Sequence, residues 1–204
     1  MKFPFSEKKF LLIFFNWRKL LSAMEKTIKN LIDGIIGEST AGATYAAFAA
    51  QAAREGYPEI QKMFEATSKA ESIHAANHAR VLKKLGAELP KFKIEIEVGT
   101  TLENLAHAKA GEVYEFSEMY PNFLKDAEAE GQKAAILSFT QALEVEKVHA
   151  ELYQRAIDAI NAGTVSELPK KYLVCAVCGD TFGENEAPEK CPVCNVPASK
   201  YLAI

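Results

Sequence analysis

Apolar residues recur at helical spacing over two long segments in the first half of the chain. The spacing predicts a first helix over residues 24–54 and a second over residues 58–85. A Glu-Gly-Tyr-Pro turn over residues 55–58 separates them, and Gly86 and Pro90 end the second helix. The pattern therefore predicts a helical hairpin.

The same pattern returns in the second half of the chain. It predicts a third helix over residues 101–130, capped by the hydroxyl of Thr101, and a fourth over residues 132–161 that ends at Gly163. Since a lone hairpin cannot cover its own apolar face, the two hairpins are expected to pack as a four-helix bundle.

Residues 90–101 between the hairpins have a different pattern. Phe92, Ile94, Ile96 and Val98 alternate with charged residues. This alternation is typical of a strand or of an extended crossover. A long connection is needed here, because the second hairpin must be carried across the bundle.

The two hairpins are copies of one unit. Residues of the first copy recur at offsets of 74 and then 75 residues, with one inserted residue between the two registers. The recurring positions of the first copy are Asn30, Leu31, Gly37, Glu38, Glu55, Gly56, Phe64, Glu71 and His74. A duplicated hairpin predicts a pseudo-two-fold axis through the bundle.

Each copy contains a Glu-x-x-His motif, formed by Glu71 and His74 and by Glu146 and His149. Residues three apart share one face of a helix, so each motif directs a carboxylate and an imidazole to the same place. Iron and manganese accept these ligands, and acidic groups among alanines call for neutralising cations. The pair of motifs predicts a carboxylate-bridged two-metal site.

The other two helices supply further carboxylates. Glu38 and Glu112 occupy equivalent positions, which completes the ligand inventory of ferritin-like di-iron bundles. Glu115 lies one turn beyond Glu112, where the first copy has Ala41. By spacing alone, Glu115 is either an alternative ligand or a solvated glutamate.

Four other side chains have weaker patterns. Tyr45 and Tyr120 lie about two turns beyond Glu38 and Glu112, and their interpretation is open between hydroxyl donors to the carboxylates and aromatic packing. His78 has no histidine counterpart in the second copy and is interpreted as a non-ligand. His107 is interpreted as structural or exposed.

All four cysteines of the chain form two Cys-x-x-Cys pairs. Cys175, Cys178, Cys191 and Cys194 predict a tetrathiolate site for iron, with zinc as the alternative. A tail of this size needs the metal to fold. A redox-active two-metal site needs electrons, which favours iron over zinc in the four-cysteine site. Cysteines that are kept free of disulfides suit a reducing, cytoplasmic compartment.

Composition bounds the domains and the partners. The 204 residues carry a formal net charge of −3, which implies no nucleic-acid surface, and no segment is long and apolar enough to predict a membrane span. The expected units are an N-terminal extension over 1–23, a bundle over 24–163, a linker over 164–171 and a cysteine tail over 172–204. The basic-apolar start is interpreted as an extension rather than a secretory leader.

Together these motifs resemble the rubrerythrin family, a ferritin-like di-iron bundle followed by a rubredoxin-like tail. The resemblance rests on the metal-binding motifs already described and on Glu118-Met-Tyr-Pro121. It implies that Glu71 and Glu146 bridge two irons, that Glu38 is terminal on one iron, and that Glu112 binds the other with His149. It also implies that His74 and Glu115 exchange on the first iron between redox states.

The resemblance implies a peroxidase that reduces hydrogen peroxide to water and protects against oxidative stress. Electrons would pass through the tetrathiolate iron from a rubredoxin or an NAD(P)H-dependent reductase. Similar proteins are homodimers in which the rubredoxin-like iron of one subunit lies near the di-iron site of its partner, and some exchange helical hairpins. The alternative function is a ferroxidase or an iron-sequestering protein.

Overall fold

The computed structural model describes residues 24–204. The predicted extension over residues 1–23 lies outside the described residues. The described chain is a bundle of long helices followed by a small tail with a three-stranded sheet. The predicted fold class is confirmed.

Two long helices form the first hairpin. Helix α1 spans Glu25–Arg54 and helix α2 spans Pro58–Lys84, so both follow the predicted bounds to within a residue. Gly56 joins them with a φ of +82°, a left-handed conformation that glycine adopts without strain. The amides of Gly56 and Tyr57 bond back to Ala53 and Ala52, which closes the last turn of α1.

The second hairpin differs from the prediction in its first arm. Helix α3 spans Thr101–Tyr114, a π-helical turn follows over Glu115–Met119, and helix α4 spans Tyr120–Ala129. Helix α5 spans Lys133–Ala162 and ends at Gly163, as predicted. The predicted continuous third helix is therefore interrupted at Glu115.

The predicted cap of α3 was wrong by one residue. Thr100 is the cap: its hydroxyl accepts from the Glu103 amide at 3.3 Å, and the Glu103 carboxylate accepts from the Thr100 amide at 2.8 Å. Thr101 is buried, and its amide donates to Glu55 Oε2 at 2.9 Å. The Thr100–Glu103 pair forms a capping box, which the Thr101 assignment could not form.

The connection over residues 87–100 contains no regular secondary structure. Of the two predicted alternatives, the extended crossover is correct and the strand is wrong. Ile94, Ile96 and Val98 remain 39–43% exposed. No strand among residues 24–204 pairs with this segment, so alternation alone does not produce a ladder.

Two apolar clusters fill the bundle, one on each side of a polar layer. One cluster surrounds Phe48 and Phe64, and the other surrounds Leu31 and Phe139. The layer between them holds the acidic and histidine side chains predicted to bind metal.

The tail begins after a short 3₁₀ turn at Val165–Glu167. Strands β1 (Tyr172–Cys175), β2 (Thr181–Gly183) and β3 (Tyr201–Ala203) form an antiparallel sheet in the order β2-β1-β3. Val145 of α5 packs against buried cysteines of the tail. Within residues 24–204, no helix is long and apolar enough to cross a membrane.

Candidate metal centres

Six buried ionisable side chains converge in the polar layer, each no more than 1% exposed. Helices α1 and α3 give one glutamate each, and helices α2 and α5 give one Glu-x-x-His motif each. The six are Glu38, Glu112, Glu71, His74, Glu146 and His149. The two histidine rings face each other with centroids 6.1 Å apart, as the pseudo-two-fold arrangement predicts.

Glu71 and Glu146 each present one oxygen to each histidine. His74 Nδ1 lies 3.0 Å from Glu71 Oε2 and 2.7 Å from Glu146 Oε1. His149 Nδ1 lies 3.1 Å from Glu71 Oε1 and 2.7 Å from Glu146 Oε2. This is the geometry by which two carboxylates can span two neighbouring metal positions.

Glu38 and Glu112 lie at opposite ends of this arrangement. Glu38 Oε2 is 3.5 Å from His74 Nδ1, and Glu112 Oε1 is 3.9 Å from His149 Nδ1. Two overlapping groups of four result, and within each group the potential ligand atoms lie within 4.8 Å of one another. The groups are Glu38, Glu71, His74 and Glu146, and Glu71, Glu112, Glu146 and His149.

The unpaired atoms of the layer show that these residues fit metal ions. Glu38 Oε2, Glu71 Oε1, both Glu146 oxygens and His149 Nδ1 are buried without a hydrogen bond. His74 Nδ1 has one hydrogen bond, with Glu71 Oε2 at 3.0 Å, whereas His149 Nδ1 lies near the Glu71 and Glu146 oxygens but not in hydrogen-bonding geometry. Unpaired buried charge is costly, and cations between these atoms would remove the cost.

The electrostatics of the layer lead to the same conclusion. Burial and the charges of Glu71 and Glu146 raise the pKa of Glu112 well above its usual range. Burial opposes a charge on His149, yet Glu71 and Glu146 raise its pKa to about 9. Closely packed carboxylates thus draw protons into the layer, and divalent cations would compete with those protons for the same oxygens.

Two tyrosines orient the terminal glutamates. Tyr45 Oη donates to Glu112 Oε1 at 2.7 Å, and Tyr120 Oη donates to Glu38 Oε1. Each glutamate therefore has one oxygen fixed by a hydroxyl. Of the two interpretations left open, the hydroxyl donors are observed, and both rings also pack against aromatic neighbours.

The other two histidines lie outside both groups. His78 is fully buried and bonds to Ser138 Oγ and Tyr120 Oη, and His107 is exposed with its ring 6.0 Å from that of Phe48. His78 is therefore placed as a non-ligand, as predicted.

Glu115 is the predicted ligand that the structure leaves outside both groups. It opens the π-helical turn and is partly buried beside the layer. Burial and the charges of Glu38, Glu146 and Glu71 raise its pKa well above its usual range. The π-helical turn gave no signal in the sequence, and such turns are frequent at functional sites.

The four cysteine sulfurs form a separate cluster in the tail. Cys175 Sγ lies 3.5 Å from Cys194 Sγ, and Cys178 Sγ lies 3.4 Å from Cys191 Sγ. These separations are too long for disulfides and suit a tetrahedral set of thiolates. Cys194 is partly exposed, whereas the other three are buried.

The tail touches the histidines of the polar layer directly. His74 Nε2 donates to the carbonyl oxygen of Cys178 at 2.8 Å, and His149 Nε2 lies 3.3 Å from Thr181 Oγ1. Each histidine thus uses Nδ1 toward the carboxylates and Nε2 toward the tail. The resemblance places the rubredoxin-like iron near the partner's site; here one chain makes the contact with its own bundle.

Gly179 permits this close approach. Its φ is +88°, and a Cβ atom there would lie 2.6 Å from His74 Nε2. We expect Gly179→Ala to displace the tail from His74 and to destabilise the protein more than Gly131→Ala. Gly131 has a φ of +68° with open space around it, so both variants incur the backbone cost of about 1–2 kcal/mol but only Gly179→Ala adds a clash. Denaturant unfolding of both iron-loaded variants measures the difference, and equal losses would contradict the contact.

The fold and the two clusters define a di-metal carboxylate bundle joined to a four-cysteine metal domain. The family model "Rubrerythrin" matches residues 29–157, and the model "Rubrerythrin, rubredoxin-like domain" matches residues 174–201. The chain belongs to the rubrerythrin family. It has the family's Glu/His di-iron site candidate and a rubredoxin-like four-cysteine site.

Curated relatives match most of the chain. Nigerythrin of Nitratidesulfovibrio vulgaris is 37% identical, with 89% of this chain and 88% of the relative covered. Rubrerythrin-2 of Clostridium acetobutylicum is also 37% identical, with 82% and 90% covered. Rubrerythrin of Porphyromonas gingivalis is 33% identical, with 86% and 88% covered.

A solved structure also matches. The fully reduced, all-ferrous state of nigerythrin aligns with a TM-score of 0.77 at 37% identity, covering 87% of this chain and 86% of that chain. These relatives support a di-iron oxidoreductase with a rubredoxin-like domain.

Proposed function

We propose that this protein is a non-haem di-iron peroxidase that reduces hydrogen peroxide to water. The observation that carries the proposal is the pair of buried carboxylates, Glu71 and Glu146, each facing both histidines, with a four-cysteine cluster one hydrogen bond away. A paired metal site with an attached one-electron carrier suits repeated two-electron reduction.

The geometry supports one assignment of ligands. Glu71 and Glu146 would be shared between two irons, Glu38 and His74 would complete one position, and Glu112 and His149 would complete the other. The assignment follows the distances, since Glu38 lies near His74 and Glu112 lies near His149. A third iron would be held in the tail by Cys175, Cys178, Cys191 and Cys194.

Two ferrous ions bound in this layer would supply both electrons for peroxide reduction, so that the hydroxyl radical that a single ferrous ion releases would be avoided. The side chains of the layer exclude water, because all six are almost completely buried. Tyr45 and Tyr120 hold one oxygen of Glu112 and Glu38 and leave the other oxygen free to bind.

With iron bound, Glu115 would be an alternative ligand that takes the place of His74 in the oxidised site. Its position beside Glu38 and Glu146 brings a further negative charge to the layer, which compensates the added positive charge of ferric iron. The π-helical turn that begins at Glu115 supplies a backbone irregularity from which this side chain can move.

Glu115→Ala is expected to retain two irons in the bundle but to lose about 10- to 100-fold in peroxide turnover, the range seen when a partner of a metal site is removed. Iron analysis and turnover are measured on the same samples. Glu128→Ala, an exposed glutamate of α4, is the control and is expected to match the unmodified protein. Loss of iron from Glu115→Ala equal to the loss from Glu71→Ala would contradict the exchange.

Electrons are proposed to enter at the tail and to reach the bundle through the His74–Cys178 contact. Cys194 is the partly exposed cysteine and offers the edge that a donor can approach. The donor is proposed to be a rubredoxin or an NAD(P)H-dependent reductase. A reducing compartment such as the cytoplasm is proposed for the protein, because it keeps the four thiolates free for metal. The protein is also proposed to be a homodimer, as the family resemblance implies.

Steady-state consumption of hydrogen peroxide tests the proposal. With a reduced rubredoxin as donor, the iron-loaded protein is expected to consume peroxide well above the rate of free ferrous iron and to oxidise the donor in step. Consumption no faster than free iron, with ferric mineral accumulating, would contradict the peroxidase and identify a ferroxidase or iron-sequestering protein.

A further inference from the structure

His78 is a fully buried histidine that the proposed function does not use. It lies one turn beyond His74 on α2, between the rings of Tyr120 and Phe139 at 5.9 and 5.2 Å. Both ring nitrogens are engaged: Nδ1 lies 2.7 Å from Ser138 Oγ, and Nε2 lies 3.0 Å from Tyr120 Oη. A buried imidazole with both nitrogens bonded is held in one orientation.

The hydrogen bonds define which nitrogen carries the proton. Tyr120 has one hydroxyl proton, and it donates that proton to Glu38 Oε1. The Tyr120 oxygen must then accept from His78, so Nε2 carries the hydrogen. Nδ1 is left to accept from the hydroxyl of Ser138. Burial lowers the pKa of His78 to about 4, consistent with a neutral ring.

A directed chain of hydrogen bonds results. Ser138 donates to His78, His78 donates to Tyr120, and Tyr120 donates to Glu38. If His78 carried its proton on Nδ1 instead, Tyr120 would donate toward His78 and Glu38 Oε1 would lose its donor. The ring therefore decides in which direction the Tyr120 hydroxyl points.

Helix α1 leaves space for this ring. A Cβ atom at Gly34, one turn before Glu38, would lie 3.2 Å from His78 Cδ2 and 3.7 Å from the Phe123 ring. A glycine inside a helix costs about 1 kcal/mol relative to alanine. The close packing of His78 against α1 explains why glycine occupies position 34, since a larger side chain would crowd the ring.

The other half of the bundle lacks this arrangement. The repeat places Tyr153 at the position equivalent to His78, and Tyr153 Oη donates to Thr67 Oγ1 at 2.7 Å rather than to Tyr45. In the described part of the chain, the Tyr45 hydroxyl has a single hydrogen bond, to Glu112. A histidine that donates to the tyrosine hydroxyl is therefore found only on the side of the described site that contains Glu38 and His74.

We propose that His78 is a positioning residue that directs the Tyr120 hydroxyl onto Glu38 Oε1 and so keeps Glu38 Oε2 available for metal. This inference rests on the proposed ligand role of Glu38. Glu38 would then stay fixed on its metal position while His74 and Glu115 exchange there.

Two amide variants test the inference. In His78→Gln, the amide nitrogen can occupy the place of Nε2 and still donate to Tyr120. In His78→Asn, the amide reaches only the place of Nδ1, so the bond to Tyr120 is lost. With iron already in the tail, Co²⁺ is titrated into the bundle and followed by visible absorption.

His78→Gln is expected to bind Co²⁺ as the unmodified protein does. His78→Asn is expected to lower the Co²⁺ affinity of the position that contains Glu38 and His74 by about 10- to 100-fold. In a Tyr120→Phe background, His78→Asn is expected to have no further effect, because it acts through that hydroxyl. Equal binding by both variants, or an undiminished effect without the hydroxyl, would overturn the inference.

Two further measurements separate the possible failures. Glu38→Ala that leaves Co²⁺ binding unchanged would contradict the ligand assignment itself, whereas weakened binding there with a silent His78→Asn would overturn only the role of His78. Nitrogen NMR of the zinc-loaded unmodified protein needs no variant: it is expected to show the proton of His78 on Nε2, and a proton on Nδ1 would overturn the inference.

Discussion

Glu71→Ala is expected to abolish stable binding of both metal ions in the bundle. Glu71 faces both histidine nitrogens at 3.0 and 3.1 Å, so its loss removes a ligand from both positions at once. The metal affinity is expected to fall by more than the loss of about 10- to 100-fold that follows removal of a residue that only hydrogen-bonds to a ligand. Iron analysis after dialysis against a weak chelator measures it.

Glu112→Ala provides the comparison for this result. Glu112 lies near His149 alone, so its loss is expected to weaken one position and to leave the other occupied. Two irons retained in Glu71→Ala, or equal losses from the two variants, would contradict the bridging assignment.

Cys178→Ser is expected to unfold the tail while the bundle stays helical. The tail has one short sheet and a small cluster around its cysteines, so most of its stability is expected to come from metal binding, which in isolated structural zinc sites contributes about 10–16 kcal/mol. Hydrogen exchange is expected to show rapid exchange over residues 172–204 and slow exchange in α1 and α5.

The control for the tail is Lys190→Ala, which changes an exposed side chain next to Cys191 and is expected to leave exchange unchanged. Limited proteolysis of Cys178→Ser is expected to cut near residues 164–171 and release an intact bundle. A tail that stays protected from exchange in Cys178→Ser would contradict a metal-dependent fold.

The arrangement of the polar layer could be predicted from the sequence because helix geometry relates spacing to direction. Glu71 and His74 share a face of one helix, and the repeat locates their counterparts at Glu146 and His149. The equivalent places of Glu38 and Glu112 on the other two helices followed from the same repeat. The bounds of α1, α2 and α5 followed from periodicity and from the glycines that come after them.

Other features depend on tertiary contacts that periodicity does not encode. The π-helical turn at Glu115 looks like ordinary helix in the sequence, and the alternation of Ile94, Ile96 and Val98 looks like a strand. The contact between His74 and Cys178 joins residues 104 positions apart, and no local pattern indicates it. The repeat showed that the second copy has no histidine equivalent to His78, but it gave no indication of the hydrogen bond between His78 and Tyr120.

A single turnover tests the proposed peroxidase activity most directly. The iron-loaded protein is fully reduced without oxygen, freed of reductant and mixed with hydrogen peroxide in limiting amounts. The proposed peroxidase is expected to consume one peroxide for every two electrons lost, to release no hydroxyl radical that can be trapped, and to regain the visible absorption of ferric four-cysteine iron as peroxide disappears. Trapped radical, or peroxide consumed while the tail iron stays reduced after the bundle is oxidised, would contradict it.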